Sequence, residues 1–211
     1  KDVLDRSFSN FEYMYYIVFF IVCVCTGVLL LPFVNIYTLN ISDATYVRPV
    51  AAMFFVLIIF LQNVRIPGLT MICAAGHFEE TKSQAIREGV INIVVSLLLV
   101  NRYKMLGVLF GTICSYGYRS IEIIVYNNKE IVTGSGRKTA RRLVRNLIVS
   151  IFLGGIGYMI IPVKMTSFVT WFEAAILVGV ISSVCICGIN YLCEPNEFKS
   201  LLNRVKYIIK K

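Results

Sequence analysis

Long apolar stretches separated by short polar segments dominate the pattern of this chain. Six of them reach or come close to the length of about 20 mostly apolar residues that a helix needs to cross a bilayer. We therefore predict an all-α integral membrane protein with six transmembrane helices. The predicted spans are residues 13–33, 49–75, 85–100, 105–126, 143–163 and 167–192, between an N-terminal segment (1–12) and a basic tail (193–211).

The distribution of Lys and Arg predicts the orientation, because cytoplasmic loops carry an excess of both. Of the 21 Lys and Arg residues, 16 fall on the side that holds both termini and four on the opposite side. We therefore expect both termini to be cytoplasmic. The densest basic group, residues 137–145, is expected to contact anionic lipids, since a basic residue near an anionic leaflet contributes about 1 kcal/mol. The alternative is that this group docks a partner protein.

Composition agrees with a membrane protein and excludes several other classes. Hydrophobic residues make up 57% of the 211 residues, against about 45–50% in soluble domains, and the mean hydropathy is +0.74. The net charge is +9, but the basic residues are scattered over loops that flank the spans. We therefore expect no nucleic-acid partner. The chain opens on Lys1 rather than Met, and we expect it to be a piece of a longer protein.

Candidates for catalysis or metal binding are few. The seven cysteines lie in or next to apolar runs, where they are expected to pack as small hydrophobic residues. His77 is the only histidine, so a zinc site and general acid–base chemistry both lack ligands or bases. We expect no metal, no cofactor and no enzymatic activity.

Small residues in two predicted spans favour close helix packing. Gly107 and Gly111 have the spacing that lets two helix backbones approach in lipid. Gly154, Gly155 and Gly157 are interpreted in the same way, with a bending point in a transporter as the alternative.

Charged residues within the apolar stretches are the strongest candidates for function, because a charge at the bilayer centre costs about 2.5–3.5 kcal/mol. Arg65 lies in the second span and Glu88 begins the third. Arg119 and Glu122 lie three residues apart on one helical face and are able to pair. Glu88, Asn92 and Glu122 are possible polar partners inside the membrane. The alternative is that the charges lie near a cytoplasmic end and reach the interface.

The second span predicts a kinked helix around Arg65. Residues 49–75 would extend about 40 Å as a helix, more than the roughly 30 Å hydrocarbon core requires. Pro67 lacks an N–H, so the helix should kink there, with Gln62 and Asn63 just ahead of the kink. In the alternative, the span ends near residue 64 and Arg65 is an interfacial anchor.

An ordered series of short motifs resembles the C-terminal half of bacterial Wzx-type polysaccharide flippases, members of the multidrug/oligosaccharidyl-lipid/polysaccharide exporter superfamily. The likeness covers roughly residues 10 to 130. The motifs are Pro32-Phe33, Ile36-Tyr37-Thr38, Asp43-Ala44-x-Tyr46-x-x-Pro49, Arg65-x-Pro67, Ala75-Gly76-His77-Phe78-x-Glu80-Thr81, Glu88 with Asn92 and Ser96-Leu97, and Gly107-Val108-x-x-Gly111-Thr112-x-x-Ser115. The residues Met105 and Leu106 depart from the Gly-Ile expected ahead of Gly107.

The resemblance implies the second six-helix lobe of a 12-helix, two-lobe transporter in a bacterial plasma membrane. Such a transporter flips undecaprenyl-pyrophosphate-linked oligosaccharide for export of surface polysaccharide. Its implied partners are the missing N-terminal lobe, the lipid-linked oligosaccharide, anionic lipids, a polysaccharide polymerase and glycosyltransferases. The pyrophosphate needs positive charge in a low-dielectric cavity. The residues assigned to this contact are Arg65, Gln62, Asn63 and Arg119.

Gly76 to Lys82 is predicted to be a cytoplasmic turn between the second and third spans, because Gly76 ends an apolar run and charges follow it. By the resemblance, Gly76, His77, Phe78 and Thr81 form a loop motif that coordinates the two helices as the lobe moves.

Two other functions stay open at this point. One is half of a MATE-like drug or cation exporter, whose cavity should favour carboxylates and aromatic rings over arginines. The other is a self-contained six-span membrane scaffold or channel, which would have no matching half.

Overall fold

The computed structural model describes residues 2–41, 46–132 and 136–209, and the side chains of residues 4–41, 46–132 and 136–203. Some features singled out in the sequence lie outside the described residues. They are Lys1, Asp43 and Ala44 of the motif series, and Lys210 and Lys211 of the basic tail.

Helices account for almost all of the described chain, and no strand occurs within those ranges. The helices are α1 (Asp2–Tyr37), α2 (Pro49–Val64), α3 (Ile66–Ala75), α4 (Phe78–Tyr103), α5 (Met105–Tyr126), α6 (Gly136–Ile160), α7 (Phe168–Cys193) and α8 (Pro195–Ile209), with a π-helical turn at Asn127–Ile131. Among the described residues, six helical stretches are long and apolar enough to cross a membrane, with α2 and α3 counted as one. The prediction of an all-α, multi-pass membrane protein is therefore confirmed.

Several helices extend beyond the apolar spans predicted from the sequence. α1 begins at Asp2 rather than near residue 13, and α4 runs from Phe78 to Tyr103 rather than from 85 to 100. Hydropathy detects only the apolar part of a helix, whereas backbone hydrogen bonds continue into the charged ends.

The predicted turn from Gly76 to Lys82 is wrong in its extent, because only Gly76 and His77 lie between α3 and α4. Gly76 ends α3 in the left-handed conformation (φ 75°), and its N–H and that of His77 donate to carbonyls of the last turn. The residues from Phe78 onward form the first turn of α4. Glu79 and Glu80 favour that helix start, since carboxylates stabilise a helix N-terminus.

The second apolar stretch is divided at Arg65, which ends α2 and precedes α3. Pro67 lies at the second position of α3, where its missing N–H is tolerated. Its ring disfavours a regular helix in the preceding turn, which places the interruption two residues before the proline. The N–H of Leu69 donates to the carbonyl of Arg65 (2.9 Å), so α3 starts directly at the break.

The chain forms two compact units. The first consists of Lys1–Phe8 and Pro49–Thr139, and the second of Ser9–Arg48 and Ala140–Lys211.

In the first unit, α4 and α5 form an antiparallel hairpin joined by Lys104 alone, which has a positive φ of 50°. A Cβ added to Gly107 would lie 2.6 Å from the carbonyl oxygen of Leu99, and one added to Gly111 would meet Ser96. The prediction that these two glycines permit close helix packing is confirmed. An apolar core in the same unit comprises Phe8, Met71, Ile72, Ile123, Ile131 and Val132.

In the second unit, α1, α6 and α7 pack together around Tyr13, Phe20 and Ile186, which are buried. Gly157 of α6 meets Val28 of α1, whereas a Cβ on Gly154 or Gly155 would meet nothing within 4 Å. The predicted packing role therefore holds for Gly157 but not for the other two, within the part of the chain that the structure describes.

Candidate functional site

Four charged side chains converge in the first unit, and we call them the charge cluster. Arg65 comes from the break between α2 and α3, Glu88 from α4, and Arg119 and Glu122 from α5. All four lie in helical stretches long and apolar enough to cross a membrane. The sequence singled out these residues one by one, and the structure brings them together.

Arg65 is held by an ion pair and by an aromatic ring. Its Nη1 donates to Glu88 Oε1 at 2.5 Å, and its Cζ lies 4.4 Å from the centre of the Tyr116 ring. This distance allows a cation–π contact. The side chains of Arg65 and Glu88 are 13% and 19% exposed, so the ion pair stays partly accessible from outside the protein.

Arg119 is the central cation of the charge cluster. Its side chain is buried, and Nη1 donates to Gln84 Oε1 at 2.7 Å. Its Nε lies 3.7 Å from Glu88 Oε2, and its Nη1 lies 3.7 Å from Glu122 Oε2. Arg119 therefore connects the two carboxylates of the cluster, and the predicted Arg119–Glu122 pair is present.

Glu122 has two very different oxygens. Oε1 accepts hydrogen bonds from the Tyr118 hydroxyl (3.0 Å) and from Arg87 Nη2 (2.9 Å). Oε2 is buried and accepts no hydrogen bond from the described residues. Within the cluster, two carboxylates offset two guanidinium groups, which lowers the cost of keeping them away from water.

Gln62 and Asn63 are the other residues assigned to the substrate contact, and Asn92 and Pro67 are further candidates from the sequence. Gln62 is exposed on α2, and Asn63 Nδ2 donates to the carbonyl of Ile59 one turn earlier (2.8 Å). Asn92 Nδ2 donates to Thr112 Oγ1 (3.2 Å) and Ser115 Oγ (3.3 Å), so it joins α4 to α5. Pro67 is buried beside the helix break.

The loop motif contacts the end of α5. His77 Nδ1 lies 2.9 Å from the Tyr126 hydroxyl, at hydrogen-bond distance, which connects the α3–α4 junction to the end of α5. Phe78 is 59% exposed, and Thr81 Oγ1 donates to the carbonyl of His77 (3.0 Å). None of these three observations involves a residue of the charge cluster.

Sequence reasoning missed four polar neighbours of the charge cluster, namely Gln84, Arg87, Tyr116 and Tyr118. For three of them the helical spacing carried a signal. Gln84 lies one helical turn before Glu88, and Tyr116 and Tyr118 lie within one turn of Arg119 and Glu122, so the pairs share a helical face.

A second ion-pair network, in the second unit, was also missed. Arg142 is buried, and it donates to Glu194 Oε2 through Nε (2.9 Å) and Nη2 (2.7 Å). Its Nη1 lies 3.2 Å from Glu12 Oε2 and 2.9 Å from the carbonyl oxygen of Ser9. Arg145 Nη1 donates to Glu194 Oε1 (2.8 Å).

This network changes the interpretation of the basic group 137–145. Lipid contact was expected for the group as a whole, but Arg142 and Arg145 are directed at carboxylates of their own unit. The overlooked signal was acidic: Glu12 lies beside the first apolar span and Glu194 just after the last.

The environment of Glu194 shifts its proton affinity. Burial raises the pKa of this carboxyl, but the hydrogen bonds and positive charges of Arg142 and Arg145 outweigh it and hold the pKa below the ordinary value. Glu194 is therefore ionised at neutral pH and stays bound to both arginines.

Comparison with known proteins identifies no relative. No family model matches the chain, and no significant match was found among curated proteins or solved structures.

Proposed function

We propose that this chain is a six-helix lobe of a two-lobe transporter that flips undecaprenyl-pyrophosphate-linked oligosaccharide across a bacterial plasma membrane. Two lines support the proposal. One is the ordered motif series that resembles Wzx-type flippases. The other is the charge cluster within helices long enough to cross a membrane. Both termini of the chain would face the cytoplasm.

The observation that carries the proposal is the position of Arg65 at a helix break. Charged residues in membrane helices are costly and mark substrate or ion pathways. Broken membrane helices occur where the backbone lines a cavity or is buried in protein. A guanidinium presents a planar fork of donors that matches phosphate oxygens, which suits Arg65 to a pyrophosphate.

An incoming phosphate would have to displace Glu88, which forms an ion pair with Arg65 in this structure. The geometry offers a way to do so at low cost, since the other oxygen of Glu88 already lies 3.7 Å from Arg119. When phosphate binds Arg65, Glu88 keeps a cationic partner instead of being left unpaired. We infer that Arg65 exchanges its partner while Arg119 retains Glu88.

A second candidate, a cation exporter, is favoured by a specific observation. The charge cluster contains as many carboxylates as guanidinium groups, and two tyrosines, Tyr116 and Tyr118, contact it. Glu122 Oε2 is buried and accepts no hydrogen bond from the residues that the structure describes. Such an oxygen can accept a proton or contact a small cation. In this candidate the arginines fix the carboxylates instead of binding the substrate.

Substitution of Glu88 distinguishes the two candidates. The purified chain is placed in lipid nanodiscs, and binding of farnesyl pyrophosphate and of tetraphenylphosphonium, a lipophilic cation, is measured by equilibrium dialysis. With a pyrophosphate site, Glu88→Gln removes the competing carboxylate, so farnesyl pyrophosphate should bind more tightly, whereas Arg65→Ala should weaken it at least about tenfold. Arg102→Ala, an arginine at the far end of α4, is the matched control and should change nothing.

The opposite pattern would support the cation exporter. Weaker tetraphenylphosphonium binding in Glu88→Gln or Glu122→Gln, with no specific binding of farnesyl pyrophosphate to the unmodified chain, would refute the pyrophosphate site. Circular dichroism and size-exclusion profiles of each variant show whether the fold is retained.

A further inference from the structure

The last helix, α8 (Pro195–Ile209), is the most amphipathic element of the chain. Its apolar residues recur three and four positions apart, which places them along one stripe of a helix. The stripe comprises Phe198, Leu201, Leu202, Val205, Ile208 and Ile209. The remaining positions are almost all polar or charged. α8 contains too many polar and charged residues for a helix that crosses a bilayer.

The charge of this segment is strongly unbalanced. Residues 195–211 contain one acidic residue, Glu197, and five basic residues: Lys199, Arg204, Lys206, Lys210 and Lys211. An apolar stripe with basic residues on the other face is typical of helices that lie in the interface of an anionic membrane.

The place of α8 in the chain puts it next to a membrane surface. It begins one residue after α7, which is long and apolar enough to cross a membrane. The end of α7 presents exposed apolar side chains, with Leu192 77% exposed and Tyr191 46% exposed. The Phe198 ring of α8 packs edge-on against the Tyr191 ring, with 5.5 Å between the ring centroids. Leu202 on the stripe is 40% exposed. The exposed apolar surface of α7 therefore continues onto α8.

The corner between α7 and α8 is fixed by side chains from α6. Glu194 is the single residue between the two helices, and its backbone is not helical (φ −136°, ψ 66°). Arg142 and Arg145 bind its carboxylate with three hydrogen bonds. The direction in which α8 leaves α7 is therefore held by ion pairs rather than by a flexible linker.

We propose that α8 is a membrane-surface helix that binds an anionic leaflet. Its apolar stripe enters the boundary between headgroups and acyl chains, and its basic residues contact acidic headgroups. The Glu194 corner holds the helix at the bilayer surface. This proposal does not depend on what the chain transports.

Tryptophan fluorescence in nanodiscs tests the proposal directly. Trp171, the only tryptophan, is replaced by Phe, and a new reporter is introduced either on the stripe (Leu201→Trp) or on the polar face (Asn203→Trp). The nanodiscs contain phosphatidylcholine with brominated acyl chains, alone or with one quarter phosphatidylglycerol. Quenching at Leu201→Trp should be about twofold stronger than at Asn203→Trp, and adding phosphatidylglycerol should increase it.

Two further measurements separate lipid binding from other roles of α8. High salt and Lys199→Glu should each reduce the effect of phosphatidylglycerol, because headgroup attraction is screened or reversed. Glu194→Gln should lower the quenching at residue 201 by loosening the corner. Equal quenching at residues 201 and 203, or no response to phosphatidylglycerol, would overturn the proposal. Strong shielding at residue 201 from aqueous iodide without quenching by brominated lipid would instead show that the stripe packs against protein.

Discussion

Arg142 donates two hydrogen bonds to the same carboxylate oxygen of Glu194, from Nε at 2.9 Å and from Nη2 at 2.7 Å. The third nitrogen of Arg142 reaches Glu12 and the carbonyl of Ser9 on α1. One guanidinium therefore joins the first helix, the sixth helix and the corner before α8. This side chain is buried where the three segments of the second unit meet.

Removing this guanidinium should destabilise the protein strongly. Arg142→Gln leaves Glu194 with Arg145 and takes away the Arg142 partner of the buried Glu12. Breaking a buried ion pair on one side costs about 3–5 kcal/mol. Arg141→Gln is the matched control, since Arg141 is its exposed neighbour. Thermal unfolding in detergent should show a large drop for Arg142→Gln and almost none for Arg141→Gln, and equal drops would contradict the burial of Arg142.

Acid should weaken the same network through Glu194. Its pKa is held below the ordinary value in the folded protein, so its ion pairs contribute full stability above the unfolded pKa of about 4.3. That contribution is lost as the pH falls through the lower, folded pKa. The stability difference between the unmodified chain and Glu194→Gln should therefore be largest near pH 7 and shrink below about pH 4. A difference that is constant from pH 7 to pH 3 would show that the charge of Glu194 does not matter.

Close packing of α4 and α5 depends on Gly111. A Cβ there would lie 3.0 Å from the backbone nitrogen of Ser96 and 3.1 Å from the carbonyl oxygen of Asn92. The hydroxyl oxygen of Ser96 would be closer still. Gly111→Ala should cost about 1–3 kcal/mol, because the helices must separate. At Gly117, on the same helix, a Cβ would meet nothing within 4 Å. Gly117→Ala should be neutral or stabilising, since Ala favours helices over Gly, and thermal unfolding in detergent compares the two.

The sequence predicted the local features of the fold better than the contacts between its helices. Six apolar spans, the end of an apolar run at Gly76 and the packing of Gly107 follow from hydropathy and from the absence of a side chain. All of these act within one helix or one turn. The partners of Arg65 and Arg142 could not be predicted in this way. Glu88 and Glu194 are 23 and 52 residues away in the chain, and only the folded packing brings them close.

The helix ends show a second limit of sequence reasoning. Apolar content marks the part of α4 that fits a bilayer, but the helix continues through Phe78 and Tyr103 because its backbone hydrogen bonds do. Gln62 and Asn63 were grouped with Arg65 by proximity in sequence. On a helix, however, adjacent residues point in different directions, and Gln62 is exposed while Arg65 faces Glu88.

The orientation of the chain can be tested with two exposed asparagines. In a cysteine-free background, Asn40→Cys follows α1 and Asn196→Cys lies in α8. The basic residues favour a cytoplasmic location for the termini. An impermeant maleimide should therefore label residue 40 in intact cells and residue 196 only after permeabilisation. Labelling of residue 196 alone in intact cells would reverse the proposed orientation.

The most direct test of the proposed function measures translocation by Arg65 variants. Vesicles containing the transporter of which this chain is the proposed lobe are loaded with fluorescent polyprenyl-pyrophosphate oligosaccharide, and dithionite bleaching reports the fraction that has crossed. Arg65→Ala removes the charge, and Arg65→Lys keeps it but loses the fork that suits phosphate. Arg102→Ala and Arg102→Lys are the matched controls.

We predict that both Arg65 variants lose at least about tenfold in translocation rate at normal membrane levels, as expected for losing hydrogen bonds to a charged group. Both Arg102 variants should keep the unmodified rate. If Arg65→Lys and Arg65→Ala flip the substrate at the unmodified rate, Arg65 does not bind the pyrophosphate, and the proposed role of the charge cluster is contradicted.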